Sequence, residues 1–193
     1  MTSKRIATAV FAVLTMLAIP AFAAEKKPMA DEFTAAFISM NAPGAMGSTV
    51  RIWIENYTTD DVAESLATTL QTKGPAALVN VLPKTNAGTI RIGTGDGYPI
   101  SIARQRQTTD GRVVLLASSR PFVGFAVAEA GPAANYLFGF IELRLKADGT
   151  GEGTIIGSAQ ISFDDKKNLT IASQSVQPGR LSDVKTKPKP KTN

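Results

Sequence analysis

The chain reads as an α+β domain: a large antiparallel β-sheet, curled or partly closed into a barrel, with a helical hairpin inserted after the second strand. Three observations predict it. Apolar and polar residues alternate with period two in successive runs from Phe33 to Val184. Short turn sequences separate those runs, and strands joined by short turns must be antiparallel, because a parallel return needs a long crossover. One stretch alone, Val62 to Leu82, changes to a period near four.

The first 23 residues stand outside that pattern and read as an export signal. Lys4 and Arg5 open it, an apolar run follows from Ile6 to Ile19, and Pro20 precedes the small-residue exit Ala21-Phe22-Ala23. The apolar run is too short for a permanent anchor. Cleavage after Ala23 is expected, which places the mature chain in the periplasm or outside the cell with no membrane-spanning segment. Residues 24–30 then form a polar leader. The single β-rich domain is expected over 31–184, and 185–193 (KTKPKPKTN) over a disordered Lys/Pro tail, because alternating Lys and Pro offer nothing to bury.

The first strand is marked by Phe33, Ala35 and Phe37, the second by Val50, Ile52 and Ile54, with Asn41-Ala42-Pro43-Gly44 and Gly47 breaking the chain between them. Val62, Leu66 and Leu70, flanked by Ala63 and Ala67, place one apolar stripe on a helix. Thr58 or Thr59 stands where a cap is needed, and Asp60, Asp61 and Glu64 where the helix dipole favours negative charge. Gly74-Pro75 ends that helix. Ala77, Leu78, Val81 and Leu82 predict a second short one, stopped by Pro83. Strands are expected again at 88–93, 98–107, 111–118, 136–147, 151–164, 168–176 and 179–184. Asp110-Gly111 is the strongest hairpin signal among their turns. The segment Pro121 to Ala134 predicts either a strand or a loop at a sheet edge, a candidate rim or lid. Tyr136, Phe138, Phe140, Glu142 and Arg144 share one strand face, opposite Leu137, Ile141, Leu143 and Leu145. Both faces begin apolar, so this strand is expected to be central and covered on both sides.

Composition excludes much chemistry. The chain has no Cys and no His. Disulfides, thiolate and His-based nucleophilic sites, and zinc or haem sites of the usual ligand sets are therefore ruled out. No acidic loop has the spacing of a hard-cation site, so no metal and no cofactor is expected. The formal charge of +5 is misleading. Loss of Lys4 and Arg5 with the signal takes it to +3, and setting aside the four tail lysines leaves the body at −1. Such a body predicts no nucleic-acid surface. GTGDG at Gly93 and GTGEG at Gly149 have the look of phosphate loops, but both precede strands and so read as hairpin turns.

Between Val50 and Leu181 a series of motifs recurs in one order: VRIWIENYTTDD at Val50, Gly74-Pro75-Ala76-Ala77-Leu78, ISIARQ at Ile100, SSRP at Ser118, YLFGFIELRL at Tyr136, DGTGEG at Asp148 and QPGRL at Gln177. In these the chain resembles a family of uncharacterised small exported bacterial β-rich proteins. The resemblance implies a shared exported β-rich domain, and it carries no reaction, ligand or residue role. Ser119 departs from the pattern, where an acidic residue is expected before Arg120.

The candidate site rests on the arginines. Arg51, Arg91, Arg104, Arg106, Arg112 and Arg144 fall on expected strands, against fewer strand carboxylates: Glu55, Glu142 and Glu152. A planar guanidinium fork is the side chain best suited to hold a carboxylate or phosphate. Arg104 and Arg106 share the parity of Ile100 and Ile102, which predicts the inner face near the open end of the sheet. Arg104, Arg106 and Arg144, with Glu142, are the predicted binding residues for a small anion. The bland alternative is a solvated outer face, with a cross-strand ion pair at Glu142 and Arg144. Three functions compete: a non-catalytic binding or interaction domain, favoured because catalytic residue types are scarce; a hydrolase using paired carboxylates; and a structural component of the envelope. The partners they imply are an anionic small molecule or an envelope component.

Overall fold

The computed structural model describes residues 29–38, 47–122, 136–163, 169–173 and 178–187. Among these residues ten strands and two helices follow in the expected order. β1 (Asp31–Ile38) and β2 (Ser48–Ile54) come first, then α1 (Asp60–Lys73) and α2 (Pro75–Val81), which a single 3-10 turn at Leu82–Lys84 closes. β3 (Gly88–Ile92), β4 (Gly97–Ile100), β5 (Ile102–Thr108), β6 (Gly111–Ser118), β7 (Phe138–Lys146), β8 (Thr150–Phe163), β9 (Leu169–Ser173) and β10 (Gly179–Thr186) complete the chain.

All pairings are antiparallel, in the order β4-β3-β2-β1-β10-β8-β7-β6-β5, with β9 on β8 beside that path. The two ends of this path are consecutive in sequence, separated by Ser101 alone. At that corner the Ala87 amide donates to the Ile100 carbonyl and the Ser101 amide to the Ala117 carbonyl, both at 2.8 Å. One kinked strand thus serves both ends, and the sheet comes close to closing into a barrel. A sheet this wide gains by closure, since free edges disappear. The first residues before α1 cover part of what is left: the Thr58 amide donates to the Ala103 carbonyl at 2.8 Å, and the Ala103 amide to Thr58 Oγ1 at 3.0 Å.

The pleat sends every second side chain inward, where Phe33, Ile52, Ile54, Ile90, Ile100, Val114, Leu116, Leu143, Ile155, Leu181 and Val184 fill the barrel. β8 can follow the curve because of its glycines. A Cβ on Gly151 would lie 2.0 Å from the Arg144 carbonyl oxygen, so only glycine permits the backbones to approach this closely. Phe122 plugs one mouth with its ring edge-on to Tyr98, centroids 5.4 Å apart.

A second apolar cluster lies outside the barrel. Leu66 and Leu70 of α1, with Leu78 and Leu82, cover Phe138 and Ile161, while Ile102 and Phe140 pack at its border. β7 is therefore buried on both faces in its first half, as the double apolar pattern predicts. Gly74 turns between the helices at φ 77°, a conformation that costs glycine little, and Pro75 starts α2 where no amide bond is lost.

Several expectations need correction. The 98–107 strand is two strands. Ile100 faces the barrel core while Ile102 packs under the helices, because the kink at buried Ser101 reverses the alternation. Val62 is 39 % exposed and stays off the helix stripe, which is carried by Leu66 and Leu70. Thr59 is the N-cap of α1 but makes no side-chain cap bond. The sheet also runs past the expected boundary at Val184: Lys185 and Thr186 belong to β10, and the Lys187 amide donates to the Glu32 carbonyl at 2.9 Å. The start of the tail is ordered because β1 offers it paired backbone. Residues 188–193 and most of the 121–134 segment lie outside the described residues.

Candidate functional site

Cross-strand register places the predicted residues on the outer wall. One row reads Arg104, Leu115, Glu142, Thr154, Arg180 across β5, β6, β7, β8 and β10. The next reads Arg106, Val113, Arg144, Glu152. Their inward neighbours, Ala103, Val114, Leu116, Leu143, Leu145, Ile155 and Leu181, are buried, so both rows face outward. This corrects the inner-face expectation for Arg104 and Arg106. Ile100, whose parity they share in sequence, lies on the far side of the Ser101 kink.

Arg104 is occupied elsewhere. Its Nη2 meets Asp60 Oδ1 at 2.6 Å and its Nη1 the Thr58 carbonyl at 2.8 Å, which ties the start of α1 to β5. Asp60 is almost wholly exposed, so this pair contributes little to stability.

Arg106, Glu142 and Arg144 line one groove of about 820 Å³ on the outer wall near the β5–β6 and β7–β8 turns. Arg106, Arg112, Arg144, Lys146 and Lys185 line it, against Asp110, Glu142, Glu152 and Asp183. Arg144 Nε donates to Glu142 Oε1 at 2.5 Å, and Glu152 Oε2 accepts from Arg180 Nη2 at 2.9 Å. The hydrogen bond to Glu142 holds the Arg144 pKa above its ordinary value, so its charge is fixed at any working pH. The two terminal nitrogens of Arg144 make no hydrogen bond among the described residues, and Arg106 makes no ion pair among them. Glu142 thus orients the guanidinium and leaves its fork open. Arg106 lies two strands away in the same row, about 10 Å at ordinary strand spacing.

A further cluster, which no local pattern in the sequence marks, joins Asp31, Tyr57 and Arg112. Asp31 accepts from Tyr57 Oη at 2.6 Å and from both ends of the Arg112 guanidinium, Nη1 at 2.9 Å and Nη2 at 3.2 Å. Arg112 Nη1 also donates to Gln105 Oε1 at 2.9 Å, and its guanidinium lies 5.6 Å from the Phe33 ring centroid. Burial, then the hydrogen bond to Asp31, pushes the Tyr57 pKa up; the bond to Asp31 does the same for Arg112. The sequence does place Arg112 inward, since it shares the parity of Val114 and Leu116. This cluster closes the barrel mouth from which the groove opens.

Among the described residues no group of three or more carboxylates is placed to hold a metal ion, and no helix is long and apolar enough to cross a membrane. Comparison with protein-family models, with curated proteins and with solved structures finds no match for this chain.

Proposed function

We propose that the chain is an exported, non-catalytic binding domain, and that its outer groove takes a small molecule carrying a carboxylate or phosphate. The observation that carries the reading is Arg144, held at Nε by Glu142 with its terminal fork unbonded among the described residues, in a groove where Arg106 makes no ion pair among them. An anion bound there gains paired hydrogen bonds without the cost of ordering a free arginine. Glu142 and Glu152 each hold an arginine, an arrangement that favours orientation of cations over the separated acid and base of a glycoside hydrolase. Export rests on the basic, apolar and small-residue regions of residues 1–23, and kinship with the exported β-rich proteins rests on the motifs quoted above.

A thermal-shift screen with phosphate, citrate, succinate and sugar phosphates tests the groove. A ligand at a hundred times its Kd raises stability by about 2.7 kcal/mol. The shift should vanish in Arg144→Gln and shrink in Arg106→Gln. If no anion moves the transition, or both variants respond as the parent does, the groove is not a binding site.

A further inference from the structure

A second set of cations stands on a different wall. Register places Arg91 of β3 directly opposite Arg51 of β2, Arg51 opposite Thr34 of β1, and Thr34 opposite Lys185 of β10. Arg51, Arg91 and Lys185 are all exposed. None of the three makes an ion pair among the described residues. Three cations therefore share one row across four strands, spread over about 15 Å at ordinary strand spacing.

The arrangement runs against sheet stability. Like charges directly opposite on one face repel, with their Cβ atoms about 5 Å apart. One nearby carboxylate is taken up elsewhere. Glu32, opposite Trp53, is bound by Lys187 Nζ at 2.5 Å. Asp183 sits in the bulge of β10 at a φ of 49° and lines, with Lys185, the groove that neither Arg51 nor Arg91 lines. Meanwhile Arg91 is held in place, its guanidinium 5.7 Å from the ring centroid of Trp53. A pair of opposed, partly pre-ordered arginines is what a bound oxyanion would bridge.

We propose that this row binds an acidic polysaccharide, one carrying carboxylate or phosphate groups on successive units. A linear chain can follow a row that curves with the barrel wall and meet Arg91, Arg51 and Lys185 in turn. A flat bilayer touches a convex wall along only a few residues. The site shares Lys185 with the groove but depends on Arg51 and Arg91, which the groove does not use.

The test measures binding of the full mature chain to polygalacturonate and to a phosphorylated mannan, at low and at physiological salt. Vesicles of phosphatidylglycerol and phosphatidylcholine are run in parallel. The double variant Arg51→Gln, Arg91→Gln should bind at least about tenfold more weakly, and the slope of log affinity against log salt should fall by roughly two, as expected when two cations no longer displace counterions. Its melting temperature should stay level or rise, because a repulsion has been removed. Lys73→Gln, which deletes a charge at the end of α1, should change neither. The proposal is overturned if the double variant binds like the parent, if neither polysaccharide binds, or if vesicles bind and the polysaccharides do not. It is also overturned if ending the chain at Lys187 abolishes binding, since the tail alone would then be the ligand site.

Discussion

Arg112 grips Asp31 with both ends of its guanidinium across the mouth of the barrel, at 2.9 and 3.2 Å, joining two strands far apart in the sheet order. The pair is largely enclosed, with side-chain exposures of 22 % and 10 %. Removing one partner leaves the other charge poorly solvated. Arg112→Met should cost about 2–4 kcal/mol in urea unfolding, toward the lower side of values for broken buried pairs because water still reaches the site. Asp31→Asn keeps the shape and should cost less. Equal, near-zero effects would show that the mouth is held by packing on Phe33 alone.

Tyr57 completes that cluster and gives it a pH signature. Its pKa is raised in the folded protein, first by burial and then by the bond to Asp31. A raised pKa means that folding favours the protonated phenol. The associated stability is fully present below the unfolded tyrosine value of about 10 and is lost as pH rises above it. Stability measured from pH 8 to 11 should therefore fall more steeply for the parent than for Tyr57→Phe. Lysine titration is common to both and drops out of the difference. Parallel curves would mean the phenol is not held by Asp31.

The helical cover depends on Leu66 and Leu70, both buried against Phe138 and Ile161. Short helices take their stability from such packing and little from propensity. Leu66→Ala should cost about 2–5 kcal/mol. Val62→Ala, at an exposed position one turn earlier, should stay within about half a kcal/mol. Reversed magnitudes would place the helix on the barrel by a different face.

How much of this was legible in the sequence follows from the range of each signal. Alternation and turn residues act over a few positions, so the strands, the helical hairpin and the double-sided burial of Phe138 to Leu145 could be read directly. Partial closure could be anticipated, but which strands meet could not, because that is decided by a kink at Ser101, and Pro99 two residues earlier does not fix its place. The same kink reversed the parity on which the inner-face reading of Arg104 and Arg106 relied. Glu142 and Arg144 lie beyond its reach, two residues apart on one strand, and their pairing was readable. Asp31 and Arg112 are 81 positions apart, and no local pattern joins them.

That kink leaves a last trace in Ser101 itself. The side chain is buried at 1 % exposure, and its Oγ has no hydrogen-bond partner among the described residues, while its amide is satisfied by Ala117. A buried hydroxyl without a partner forfeits its hydration and receives nothing in return. Ser101→Ala removes the hydroxyl, keeps the backbone amide bond and changes volume very little. The variant should be more stable than the parent by about 1 kcal/mol in urea unfolding, against the usual direction of core substitutions. A loss of a kcal/mol or more would show that the hydroxyl has a bonding partner in solution, and that the corner between β4 and β5 is held by more than its two backbone bonds.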